Sequence, residues 1–162
     1  MADGRRIAAD LRAAVDEGVE VILAAPEERT ARRPAEGGWC AREVIGHLID
    51  SACNNHRRFV INQSADVMII DPYDQEVWVT RQHYADRPAA RLAALWAVYN
   101  RHIADVLEHI PDDVMNRGRG PLAGLGFGFI TTADTEATLR HLADDYVGHI
   151  RHHFKQIRAL LA

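Results

Sequence analysis

The stretch from Leu139 to Leu161 sets the kind of fold this chain can reach. Leu139, Leu142, Tyr146, His149, His153, Gln156 and Leu160 recur at alternating intervals of three and four residues, the spacing of a seam along which one helix packs on another. A second row, Val147, Ile150, Phe154, Ile157 and Leu161, runs beside it. Two imidazoles therefore stand where a bundle of helices normally buries leucine. An imidazole buried without a partner costs roughly 1–3 kcal/mol, so the interior has to supply one. His149 and His153 are four residues apart, on one face of the helix and close enough together to reach a single metal ion.

Three further segments carry the helical period. The first, about residues 4–25, places Ile7, Leu11, Val15, Val19, Ile22 and Leu23 in phase and ends before Pro26. A linker from Pro26 to Gly38 follows. The second helix is expected to open near Trp39 and Cys40, with Glu43 as the capping-box partner, and to run through Val44, Ile45, Leu48, Ile49, Ala52 and Phe59 to about Asn62. Residues 64–87 are mixed, with a turn at Asp71-Pro72-Tyr73 and a short helix expected from Asp74 to Tyr84. The third long helix opens at Pro88, carries Leu92, Leu95, Trp96, Tyr99, Ile103, Val106, Leu107 and Ile110, and is stopped by Pro111. The loop 112–132, with Gly118, Gly120, Gly124, Gly126 and Gly128, reads as mobile or as lying close against another backbone. No two-residue alternation persists. Four long helices of similar length predict an all-α four-helix bundle forming one domain over residues 1–162.

Composition narrows the classes of function. A net charge of -4 over 162 residues argues against a nucleic-acid partner, which wants clustered basic surface. No apolar run is long enough for a membrane span, and the N-terminus lacks the apolar core of a signal peptide. Cys40 and Cys53 fall in one expected helix about 20 Å apart and cannot pair within it. A reduced, cytoplasmic setting follows.

A site built on His149 and His153 needs a third ligand, because open zinc sites commonly use three protein ligands. His47 lies mid-helix on a stripe with Val44, Leu48 and Ser51, and its neighbour Gly46 lets another element come close. His56 sits among Asn55, Arg57 and Arg58 and is expected at a rim or exposed. His83, His102, His109 and His141 have polar neighbours and are expected at the surface. His152 projects about 100° away from His153.

The segment Trp39-Cys40-Ala41-Arg42-Glu43-Val44-Ile45-Gly46-His47-Leu48, followed by His149-Ile150-Arg151-His152-His153-Phe154-Lys155-Gln156-Ile157, resembles the DinB/YfiT-like superfamily over essentially the whole chain. The family pattern has a Trp-Ser-x-x-Glu start to the second helix, a Gly-His-Leu centre, and a His-x-x-x-His-x-x-Gln-Ile ending. Cys40 departs from the usual serine. The resemblance implies an up-down-down-up bundle, a divalent metal held by His47, His149 and His153, and frequent homodimers. Zinc or nickel heads the list of metals, with iron and manganese also suited to imidazole.

The activity implied is transfer or isomerisation dependent on a low-molecular-weight thiol, which attacks an electrophilic co-substrate as the thiolate. The alternatives are hydrolysis by a water at the same position and a noncatalytic bundle with a structural metal. Asp50, one turn beyond His47, could orient an imidazole, complete the coordination or act as a catalytic base. Asn54, Tyr73 and Arg57 are the expected substrate-binding residues, with Arg58 and Arg119 as further candidates for a carboxylate. Apolar surface at Val77, Trp78 and Val79 adds to the expectation of a dimer.

Overall fold

A computed structural model describes residues 2–162. Four long helices make the bundle: α1 (Ala2–Leu23), α3 (Ala41–Ile61), α5 (Ala89–Glu108) and α7 (Leu139–Leu161). Short helices occupy the connections: α2 (Glu27–Thr30), α4 (Gln75–Gln82) and α6 (Asp112–Asn116), with a single 3-10 turn at Tyr84–Asp86. Among the described residues no strand forms beyond an isolated bridge between Pro121 and Glu136. No helix among the described residues is long and apolar enough to cross a membrane.

Cross-helix contacts give the directions. Arg12 on α1 binds Asp105 and Glu108 on α5, while Arg101 reaches back to Asp16, so these two helices are antiparallel. Arg6 pairs with Asp144 and Glu17 with Arg158, which makes α1 and α7 parallel. His47 meets His149 whereas Phe59 meets Tyr146, so α3 runs against α7. The course is therefore up-down-down-up. Exposed pairs of this kind contribute about 0–1 kcal/mol each; they report the register, and the core sets the stability.

The core is the expected one. Ile7, Leu11, Val15, Leu48, Phe59, Trp96, Ile103, Ile150 and Ile157 are all buried. Phe154 lies against Trp96 at 5.1 Å between ring centroids and against Gly18, where an added Cβ would stand 2.4 Å from its ring. Both apolar rows of α7 are used, except that Gln156 lies exposed at the end of the seam.

Several expectations change at the connections. The linker after Pro26 contains the single turn α2, because Arg42 reaches across to Thr30 Oγ1 at 2.8 Å, to the Ala85 carbonyl at 2.9 Å and to Glu27. Pro88 caps α5 from just outside, and α5 ends at Glu108, before Pro111. The segment 112–132 opens with α6. Cys40 does serve as the N-cap of α3: its backbone N–H donates to Glu43 Oε2 at 2.9 Å. The most direct correction is His141, expected at the surface but 1% exposed. It stands at the third position of α7, where its Nδ1 accepts the Thr138 backbone N–H at 3.3 Å and its own N–H donates to Thr138 Oγ1 at 3.2 Å. That leaves Nε2 to face Asp134 Oδ2 at 2.9 Å. Of the apolar surface at 77–79, Val79 is buried and the Trp78 ring rests on Tyr73 at 5.1 Å, so the chain covers most of it itself.

Gly46 shows how closely the elements are fitted. A Cβ there would fall 2.0–2.6 Å from the Tyr84 ring, and that ring is itself 2% exposed. We predict that Gly46→Ala lowers stability by about 1–3 kcal/mol, the range for overpacking a filled core. Urea unfolding followed by circular dichroism would read the loss, and an unchanged midpoint would contradict the packing described.

Candidate metal centre

His47 on α3 and His149 and His153 on α7 converge. One nitrogen from each can be chosen so that all three lie within 4.8 Å of one another, and no other such group of His, Cys, Asp or Glu occurs among the described residues. The helical period explains the pair on α7, and antiparallel packing of α3 against α7 brings His47 opposite it. His47 is 3% exposed and its ring lies 5.3 Å from that of Trp39, while His149 and His153 are half-buried.

The donor atoms fit a cation. His47 Nε2 and His149 Nε2 are 3.2 Å apart, close to the separation of about 3.3–3.4 Å between two nitrogens bound tetrahedrally to zinc at 2.0–2.1 Å. His153 Nδ1 faces Gln156 Oε1 at 2.9 Å; an amide oxygen only accepts, so Nδ1 carries the proton and Nε2 keeps its lone pair. Burial, with His153 close by, holds His47 down to about 4. Burial, then His153, His47 and His152, holds His149 down to about 3. His153 is lowered by burial too, against the opposing bond to Gln156. All three are neutral near pH 7, the form that binds metal.

A cavity of about 340 Å³ opens beside the trio, with His47 and His149 in its wall. α3 contributes Ser51, Asn55 and Arg58; α7 contributes Leu142, Asp145 and Tyr146; Tyr73 and Phe129 come from the connections. The loop carrying Phe129 is pinned to α7. The carboxylate of Asp145 accepts the Phe129 N–H at 2.6 Å and bonds to the amides of Gly128 and Ile130. Phe129 then packs on His149 at 5.5 Å and His152 at 5.3 Å. Gly148 permits this approach, since a Cβ there would stand 2.6 Å from Phe129 Cβ.

The remaining candidates separate. Tyr73 lines the cavity, and burial with Asp50 nearby pushes its hydroxyl up to about 12. Asp50 is buried, and its Oδ1 accepts from Gln82 Nε2 at 2.6 Å and from the Tyr84 hydroxyl at 2.7 Å, with neither bond going to an imidazole. Its Oδ2 has no partner, and burial raises its pKa. Asn54 turns back to the Asp50 carbonyl at 2.9 Å, outside the cavity wall. Asn55, 100° further round the helix, takes the place expected of it. Arg57 is exposed and pairs with Asp71. Arg119 is buried away from the cavity, closing loop carbonyls of Asn62, Val114 and Arg117. Ser51, Asn55, Asp145 and Phe129 were not singled out from sequence; the stripe Ser51-Asn55 continuing His47 was the signal available for two of them.

A helical bundle with three neutral imidazoles converging beside a cavity defines a metal-site bundle protein. The sequence profile of the DinB superfamily matches residues 9–157, and the chain belongs to that family. A Bacillus subtilis protein named "putative metal-dependent hydrolase YfiT" is 31% identical over 129 residues, a match covering 77% of this chain and 65% of that protein. The chain thus spans just under two thirds of that relative's length. A second protein of that functional name, from Oceanobacillus iheyensis, is 28% identical over 88 residues, covering 54% of this chain and 51% of its own. The solved structure of Bacillus subtilis YfiT, a four-helix bundle of unusual topology, superposes with a TM-score of 0.71 at 23% identity, over 97% of this chain and 83% of that one.

Two outcomes test the site. His47→Ala, His149→Ala and His153→Ala should each lose bound divalent metal by elemental analysis, while His56→Ala and His152→Ala keep it; full occupancy in His149→Ala would sink the assignment. The second concerns pH in the metal-free protein. Because the folded pKa values of His47 and His149 lie below the unfolded value of about 6.5, the unfolded chain takes up protons first as pH falls. Stability should therefore be indifferent to these groups above about pH 6.5 and decline from there toward about pH 3. Denaturation midpoints that fall less steeply in His149→Leu than in the parent would show it; parallel profiles would not.

Proposed function

We propose that this protein is a metal-dependent enzyme in which His47, His149 and His153 hold a divalent ion beside the cavity that takes the substrate. The observation that carries the reading is the position of the trio: two of its members form part of the wall of an open cavity, so the ligand set is three imidazoles with one side facing solvent-accessible space. A structural metal is instead enclosed by four protein ligands. The volume suits a small molecule. When bound, such an ion lowers the pKa of a water or thiol and supplies a nucleophile at neutral pH.

The chain's own residues supply position and shielding. Gln156 orients His153, and Ser51 Oγ lies 3.4 Å from His149 Nδ1. Phe129, with Leu142, makes an apolar lining that excludes water from one side. Tyr73 keeps its proton at neutral pH and can donate a hydrogen bond to a developing negative charge.

Two nucleophiles fit this arrangement. The family resemblance favours a low-molecular-weight thiol attacking an electrophilic co-substrate, and a cavity larger than one water needs supports it. The names of the relatives favour water and hydrolysis. A cobalt-substituted protein titrated with bacillithiol, mycothiol, glutathione and coenzyme A distinguishes them. The thiol reading expects a thiolate-to-metal absorption band for at least one, with affinity rising with pH below the free thiol's pKa. With no band and no thermal stabilisation by any of the four, hydrolysis replaces it.

A further inference from the structure

The α3 wall of the cavity is a single stripe, His47, Ser51, Asn55 and Arg58, at intervals of four, four and three residues. Its far end is a guanidinium. Arg58 is half-buried, and its partners are neutral oxygens: the Asp71 backbone carbonyl at 2.6 Å from Nη2 and Asn55 Oδ1 at 3.4 Å from Nη1. Asp71 attracts it, but neither Asp71 nor Asp145, the other acid of the cavity wall, bonds it through its carboxylate. Asp71 gives its carboxylate to Arg57, and Asp145 gives its own to the loop amides around Phe129. A guanidinium has five N–H donors; the bonds to the Asp71 carbonyl and to Asn55 use two of those of Arg58, and the residue lines the cavity.

From this geometry we propose that Arg58 binds a terminal oxyanion of the substrate, making the ligand an elongated small molecule with its anionic end on Arg58 and its reacting atom at the three imidazoles. The proposal names the substrate class for the site under Proposed function and rests on that reading. The eleven residues from His47 to Arg58 span about 16 Å of helix axis, and a helical side chain leans back toward the N-terminus. Both side chains lean the same way, and because arginine is the longer of the two the distance to be bridged shortens to the order of 10 Å. Asn55 and Ser51 lie between, offering polar contacts along the way. Arg57, the residue sequence reasoning favoured, points out of the cavity one position earlier.

The test separates the anion site from the metal. In metal-free protein, hexanoate and hexyl phosphate should bind more tightly than hexanol by about tenfold, the value of one charge-assisted hydrogen bond, as read by calorimetry. Arg58→Gln should erase that preference, Arg58→Lys should keep part of it, and the double variant Arg57→Gln/Asp71→Asn, which removes the exposed ion pair without freeing a carboxylate beside Arg58, should leave it intact, with thermal melts confirming that each variant folds. Equal binding of hexanoate and hexanol, or a preference that survives in Arg58→Gln, overturns the proposal; should Arg58→Gln not fold, Arg58→Lys with the full parental preference for both anions and Arg57→Gln/Asp71→Asn without it overturn it as well. In zinc-loaded protein, mercaptohexanoate should show the same preference over mercaptohexanol, and both should bind more tightly than hexanoate and hexanol. If the anion preference holds without zinc and the thiol group adds nothing with it, Arg58 stands and the metal reading fails.

Discussion

Burial of three imidazoles at the contact of α3 with α7 is the constraint around which the rest of the structure is arranged. Each ring is costly to remove from water and costlier still when charged, and the low pKa values of His47 and His149 record that cost. The bundle accepts it because the aliphatic rows beside the histidines are complete: Ile150, Phe154 and Ile157 are buried immediately next to the polar seam. A purely aliphatic seam would be the more stable choice. The imidazoles are held neutral, with one nitrogen of each within 4.8 Å of the others, and a divalent cation would satisfy all three together.

Close approach by small residues completes the surroundings. Gly46 admits Tyr84, and Tyr84 in turn bonds Asp50, so the helix turn carrying His47 is fixed from behind. Gly148 admits the Phe129 loop over His149 from the other side. The same glycines would be weak points in an isolated helix; here they set how near neighbouring elements can come to the metal centre.

Charge inside the cavity is unevenly committed. The acid that lines it, Asp145, spends its acceptor capacity on backbone amides and so holds the loop. The base that lines it, Arg58, bonds only to neutral oxygens. One bundle fold can host many reactions, and the reaction depends on what lines the pocket. Both features belong to this chain's own residues.

The four long helices, their up-down-down-up bundle and the three histidines were legible in the sequence, because a period of 3.6 residues gives the phase of every side chain on its own helix and the resemblance named the partner helix. What lay one position off was not. Asn54 against Asn55, and Arg57 against Arg58, differ by about 100° around α3. The intervals of four, four and three residues from His47 were the signal for Asn55 and Arg58, and they become a choice once the lie of α3 against α7 shows which side of that stripe faces the cavity. His141 read as surface because its partners, Thr138 and Asp134, belong to a cap and a loop without periodicity. Asp50 and Asp145 drew their roles from Tyr84 and from the amides of 128–130, contacts made across long intervals of chain. Sequence alone determined the elements and the three histidines that meet between α3 and α7; tertiary packing decided which neighbouring side chains face the site, because that choice depends on the rotation of one helix against another and on loops held from a distance.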